Sequence, residues 1–154
     1  MRNPYLFLWY SILFLCVIIL DRIAKCYALV TCINPIRFNR FFSCDLVFNR
    51  GISWGMFHSH NDLVFWMLNF SIFVLMVIVS LYAYRRWVEN YYIFGEVLVL
   101  AGSSSNMLDR FFYGGVIDFL VFSLGSWSWP AFNLADFFIV IGISIMLIGN
   151  YRNS

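Results

Sequence analysis

Charge is scarce in this chain: Asp, Glu, Lys and Arg make up 12% of its 154 residues, ten basic against eight acidic. A soluble domain of this size needs more polar surface than that to cover a core, so lipid must serve as solvent for much of the chain. The basic residues are scattered and form no stripe, which argues against a nucleic-acid partner. Histidine is limited to His58 and His60, two apart, with no third His and no Cys at ligand spacing. They read as interfacial loop residues, and neither a metal nor another cofactor is expected. The four cysteines, Cys16, Cys26, Cys32 and Cys44, form no CxxC pair and no dense framework. A metal site is therefore excluded and a disulfide disfavoured. Cys16 lies inside an apolar run as a core or lipid-facing residue. That first run, Tyr5 to Leu20, also lacks the small-x-small pattern of a cleaved signal peptide. Small residues are equally missing before Cys16, where a lipidated cysteine would need them. Internal repeats, low-complexity tracts and long linkers are absent, so the chain reads as one integral membrane domain over 1–154.

What the chain has in abundance is apolar and aromatic residues, 62% and 21%, with eighteen Phe. They gather into four runs, about 5–29, 63–84, 91–108 and 132–149, near the ~20 residues that cross ~30 Å of hydrocarbon. Residues 34–60 form the longest polar stretch, where Phe and Leu alternate irregularly with Asn, Arg and Asp. This suits short strands or an irregular platform at the membrane surface, with a turn at Asn49-Arg50-Gly51. Arg85-Arg86-Trp87 closes the second run, and Glu96 in the third lies close enough to one end to reach the interface or a partner. The Trp residues fit interfacial belts. The fold expected is an all-α membrane bundle of four transmembrane helices with a small β-rich or irregular cradle. Both termini then share one side with Arg2, Arg85, Arg86 and Arg152. Arg22, Lys25, Arg37, Arg40, Arg50 and Arg110 share the other. A naive count makes the second side cytoplasmic, but residues held in a site do not report on insertion, so charge alone leaves the topology open.

Polar residues concentrate late in the chain. Asp118 follows Tyr113-Gly114-Gly115, just beyond a bend after the third span, and Asp136 opens the fourth. Both lie at one membrane face. Acids at bilayer depth are costly unless paired, hydrated or used. Two carboxylates within a few Å share one proton, and such a pair can deprotonate a water while protonating a leaving amine, the chemistry of peptide hydrolysis. The plainer role for Asp136 is a capping box with Asn133 as N-cap, which is compatible with catalysis. Asn106 and Asp109 share a helix face. Asp109, at a helix C-terminus, needs a cation, from Arg110, Lys25 or Arg22, and reads as a helix clamp. Asp21 and Lys25 pair at i, i+4. Gly102-Ser103-Ser104-Ser105 are small enough to let helices approach closely.

These residues resemble the lipoprotein signal peptidase (signal peptidase II) family of bacterial membrane aspartic proteases. The likeness covers essentially the whole length in five ordered blocks. Asp21-Arg22-Ile23-Ala24-Lys25 matches an Asp-x-x-x-Lys element, and Asn49-Arg50-Gly51-Ile52-Ser53-Trp54-Gly55 resembles an Asn-x-Gly-x-Ala-Phe block. Asn106-Met107-Leu108-Asp109-Arg110 matches Asn-x-x-Asp-Arg. Gly115-Val116-Ile117-Asp118-Phe119 and Pro130 to Asp136 resemble the two segments that carry the catalytic acids. Ser105 replaces a common glycine, Ser53-Trp54 an Ala-Phe pair, and Arg22 a common glutamine. The resemblance implies an endopeptidase that removes the signal peptide from diacylglyceryl-modified prolipoproteins, just before the lipidated cysteine, with Asp118 and Asp136 as its dyad. Asn49, Gly51, Asn106, Arg110 and Asn133 would hold the peptide or orient the acids, while Asp21, Lys25 and Asp109 keep helices and cradle in register. It further implies a monomer in the bacterial inner membrane in contact with lipid, both termini cytoplasmic. The cradle would then be extracytoplasmic and the site would face the outer leaflet, against the charge count. Two readings from other classes are a proton-coupled transporter, with Asp109, Asp118 and Asp136 as a relay, and a non-catalytic scaffold. The lack of an inverted repeat speaks against the former.

Overall fold

A computed structural model describes residues 5–51, 61–125 and 127–151. His58 and His60, the Ser53-Trp54 pair, Arg2 and Arg152 lie outside the described residues. Helices occupy all four apolar runs: α1 (Leu6–Thr31), α2 (Asp62–Val88), α3 (Phe94–Tyr113) and α4 (Leu134–Tyr151). The 26 residues of α1 and 27 of α2 are each long and apolar enough to cross a membrane. Their outward faces carry Phe7, Trp9, Leu15, Ile19, Phe70, Leu75 and Leu81, all more than half exposed. In water such a surface would aggregate; in a bilayer it is ordinary solvent contact. By contrast α3 is the central helix, and it buries Glu96, Ser105, Asn106, Asp109 and Arg110 along with its apolar face.

Close contact between α3 and α4 depends on glycine. A Cβ on Gly102 would stand 2.6 Å from the Ala135 carbonyl, and one on Gly95 2.7 Å from that of Gly142. Backbones at that separation gain dispersion contacts that lipid cannot replace. The gain places the first turn of α4 hard against the polar part of α3. At the opposite end, Arg86 pairs with buried Glu96 at 2.9 Å. Phe7 and Tyr10 of α1 meet the ring of Trp87. This answers the partner question for Glu96 and pins α2 to both neighbours.

The cradle is a four-stranded antiparallel sheet of order β1-β2-β3-β4, from β1 (Ile36–Arg37), β2 (Phe42–Asn49), β3 (Val116–Leu124) and β4 (Trp127–Ser128). It therefore recruits chain from beyond the 34–60 stretch. The segment read as a bend carrying Asp118 is a strand instead. Gly114 caps α3 in the left-handed region at φ 69°, a conformation with no Cβ penalty, and turns the chain straight into β3. The β2–β3 register sets Val47 opposite Asp118 and Asn49 opposite Val116, with an irregularity between Cys44 and Val47. Inward from the sheet, Phe119 and Cys44 pack with Ala28 and Cys32. Cys32 and Cys44 are joined by a disulfide, which corrects the expectation from spacing. The α1 C-terminus and the inner strand bring the two sulfurs together across a gap that sequence spacing does not reveal. Cys16 and Cys26 are free and exposed.

Candidate active site

Asp118 and Asp136 reach one another from different elements. Asp118 is the third residue of β3, 2% exposed. Asp136 stands in the first turn of α4. Asn133 links them. Its side-chain amide donates to Asp118 Oδ1 at 2.6 Å, and its backbone N–H donates to Asp136 Oδ2 at 3.3 Å. The Asp136 N–H returns a 2.9 Å bond to Asn133 Oδ1, so the reciprocal capping box read from the sequence forms. The remaining oxygens take amides as well. Asn49 Nδ2 donates to Asp118 Oδ2 at 3.0 Å, and Asn106 Nδ2 to Asp136 Oδ1 at 2.7 Å. These four donors are all neutral amides.

A second acidic pair lies one layer deeper. Asp21 and Asp109 are both fully buried. Lys25 bridges them, with Nζ 2.7 Å from each carboxylate. Arg22 stands 2.7 Å from Asp109 and 3.3 Å from Asp21. Ser105 Oγ donates to Asp21 at 2.6 Å. This serine stands where the resembling family commonly has glycine, and its hydroxyl also accepts from Arg22 Nε at 3.1 Å. Both carboxylates also hold backbone. Asp21 Oδ1 accepts the Ala135 N–H at 2.9 Å and Asp109 Oδ2 the Ile117 N–H at 3.3 Å. Each deep acid thus holds the backbone N–H of the residue just before one of the candidate dyad residues. Lys25 also donates to Asn106 Oδ1 at 2.8 Å, which fixes that amide with its nitrogen toward Asp136.

Arg110, adjacent to Asp109, does not serve it. Its guanidinium instead donates to the Gly51 carbonyl at 2.9 Å and the Asn106 carbonyl at 3.4 Å. The Gly51 N–H in turn donates to Asn49 Oδ1 at 2.9 Å, the turn expected there. So Arg110 and Gly51 hold Asn49 in place over Asp118. Sequence reasoning singled out these residues and offered Lys25 or Arg22 as the cation for Asp109, and both serve it; it missed the bonds of Ser105, because contacts between α1 and α3 leave no mark in local spacing. Among the described residues no group of three or more His, Cys, Asp or Glu is arranged to hold a metal ion.

The electrostatics of Asp118 follow from this wall of amides. Burial first, and the Asp136 carboxylate second, push its carboxyl up to about 7, while bonds from Asn49 and Asn133 and the charge of Lys25 pull the other way. A carboxyl so placed is divided between its protonated and ionised forms near neutral pH, so it can give or take a proton there, and the proton belongs to the pair rather than to one residue.

Comparison with known proteins places this arrangement. The family model described as signal peptidase (SPase) II matches residues 13–152. A lipoprotein signal peptidase of Desulforapulum autotrophicum is 38% identical over 109 residues, 70% of this chain and 67% of that protein. One from Burkholderia mallei is 32% identical over 112 residues, covering 73% and 68%. Two solved structures, each described as a bacterial membrane enzyme determined by the in meso method, share the fold at 22% identity. Their TM-scores are 0.78 and 0.75; the matches cover 99% and 100% of this chain and 93% and 99% of the others. A match over nearly all of the chain, with a membrane bundle and sheet of the same shape, leaves one assignment: this protein belongs to the signal peptidase II family and is a signal-peptide-cleaving hydrolase of the inner membrane.

Proposed function

We propose that this endopeptidase cleaves diacylglyceryl-modified prolipoproteins on the N-terminal side of the lipidated cysteine, with Asp118 and Asp136 as its catalytic dyad. The observation that carries the assignment is that these two acids, joined through Asn133, take their hydrogen bonds from amides, while Arg110 and Lys25 act on them only through space. In the reaction one carboxylate takes a proton from water as its oxygen attacks the scissile carbonyl. The protonated partner donates to the carbonyl oxygen. Collapse of the tetrahedral species breaks the C–N bond, and the proton first taken from water passes to the leaving amine. Asn49, Asn106 and Asn133 hold the acids in line, and Arg110 with Gly51 keeps the covering turn closed. Asp21, Lys25 and Asp109 hold the frame. Membership of a peptidase family disposes of the transporter and scaffold readings. Acyl chains left in the bilayer would anchor the substrate at ~0.8 kcal/mol per buried CH₂, with little need to read peptide sequence.

In this reading a monomer suffices, since one chain supplies every residue of the site. Both termini are cytoplasmic and the cradle faces outward. The Cys32–Cys44 disulfide, at the cradle end of α1, supports that orientation because such bonds persist in oxidising compartments. The test is cleavage by purified protein of one precursor with and without its lipid. Release of the signal peptide from the lipidated form alone is the expected result; equal turnover of the unmodified form would remove the substrate assignment. A cysteine introduced near Arg40 should be labelled from outside and a tag near Arg85 from inside, and the reverse pattern would invert the topology.

A further inference from the structure

Arg22 touches both deep acids, as Lys25 does, yet the cleavage steps leave it without a task. Every nitrogen of its guanidinium is engaged. Nη1 stands 2.7 Å from Asp109 Oδ1, and Nη2 donates to Asp21 Oδ2 and to the Ser105 carbonyl, each at 3.3 Å. Nε donates to Ser105 Oγ at 3.1 Å, and that fully buried hydroxyl donates in turn to Asp21 at 2.6 Å. A glycine at 105 would leave Nε without this acceptor. Lys25 Nζ lies 2.7 Å from both deep carboxylates, so one ammonium faces two negative charges. Arg22 supplies the second positive charge, without which the buried layer would carry an unmatched one.

The balance extends to the dyad. Among the described residues, the charged groups gathered around Asp118 and Asp136 are Asp21, Arg22 and Lys25 of α1, with Asp109 and Arg110 of α3. From β2 comes the Asn49 amide; Asp45 of that strand is exposed, and Arg50 beyond it pairs with Asp62 at 2.6 Å. With one proton shared by the dyad, its single charge and the two deep carboxylates are matched by Arg22, Lys25 and Arg110. Lys25 acts on Asp118 through space, so charge in this layer is felt at the dyad. The same deep carboxylates hold the N–H groups of Ala135 and Ile117, next to Asp136 and Asp118. We propose that Arg22, held by Ser105, is a positioning residue: it completes the charge balance behind the two acids and orients the carboxylates that seat them, and so sets the pH range in which the dyad works. This rests on the dyad proposed above.

The experiment is the pH profile of kcat/KM for cleavage of a lipidated precursor by the purified protein. Arg22→Gln removes one positive charge and favours the protonated dyad, so both limbs should move up by about half a unit to one unit. Its plateau rate should fall about three- to tenfold, the worth of one hydrogen bond, with KM near the parent's. Arg22→Lys keeps the charge and should keep the parent's limbs while losing part of the plateau. Asp109→Asn removes a negative charge and should move the limbs down; combined with Arg22→Gln it should return them to the parent's position. If Arg22→Gln alone does not fold, that double variant against Asp109→Asn reports the same charge. Ser105→Ala should lower the plateau less in the Arg22→Gln background than in the parent, because the hydroxyl acts through the guanidinium. Limbs that stay in place in Arg22→Gln, or that move as far in Arg22→Lys, would overturn the proposal, and equal losses in both backgrounds would take Ser105 out of it. If Asp118→Asn or Asp136→Asn retains turnover, the dyad fails and this inference with it. Inactive dyad variants beside an unmoved Arg22→Gln profile would sink this inference alone.

Discussion

Two pairs of buried acids lie at the same end of this bundle, and they are solvated in opposite ways. Asp21 and Asp109 have Lys25 and Arg22 within 2.7–3.3 Å. Asp118 and Asp136 have asparagines and backbone amides. A carboxylate paired with a buried cation belongs to the frame, because losing either member strands the other. One held only by amides keeps both protonation states within reach. The difference separates a framework from a reactive centre more sharply than burial does, since three of the four acids are at most 2% exposed.

The largest effect should come from the amide-held pair. Asp118→Asn and Asp136→Asn are each expected to lower single-turnover cleavage by at least ~10²–10⁴-fold, the usual weight of a general acid or base. Melting should stay near the parent. Appreciable turnover by either variant would break the comparison at its root. Next, Asp109→Ala should cost ~3–5 kcal/mol of stability, because Lys25 and Arg22 lose a buried counter-charge and the Ile117 N–H loses its acceptor. A variant that melts like the parent but fails to cleave would move Asp109 into the reactive centre.

The disulfide offers a region that belongs to neither pair. Cys32→Ser with Cys44→Ser opens a short loop, with a separation of 12 residues, and should lower stability by ~2–4 kcal/mol. The pH profile of cleavage should not move; if it does, the cradle tunes the acids directly. The smallest and most diagnostic effect concerns pH. With Asp118 at about 7, kcat/KM should fall above neutrality as the shared proton is lost. Asn49→Ala removes a donor that favours the ionised form. It should shift that limb upward and cost about tenfold or less in rate. The unfolded chain titrates this carboxyl near ~4, so the folded state holds an extra proton between there and about 7. This group's contribution to stability is full at low pH and should decline as pH rises through that window. Calorimetry on the parent and Asp118→Asn would separate its share.

The helices, the Asp21–Lys25 pair and the cap at Asp136 were legible because they rest on local signals: apolar runs, an i, i+4 ion pair, an N-x-x-D cap. Asp136 in particular could be placed from the four residues Asn133 to Asp136 alone. The strand under Asp118 was not legible. Val116 to Phe119 are all buried and the next four residues of β3 half-buried, so the alternation that marks a strand never appears, and two glycines suggest a loop instead. The Cys32–Cys44 bond was hidden for a related reason, since it joins a helix end to an inner strand whose pairing the sequence does not display.

The bond from Asn133 to Asp118 joins residues 15 apart, whereas the supports come from much farther along the chain: 69 residues for Asn49 to Asp118, 84 for Ser105 to Asp21, 114 for Ala135 to Asp21. Short loops close at less entropic cost than long ones. The β3–α4 excursion can therefore bring the two acids together early, while the sheet edge and α1 that bury them arrive late. Until they do, Asp118 is an ordinary exposed carboxylate that surrenders its proton readily. A half-inserted chain thus carries the acids without their chemistry, and the protease becomes competent only when its first helix and its last are both in place.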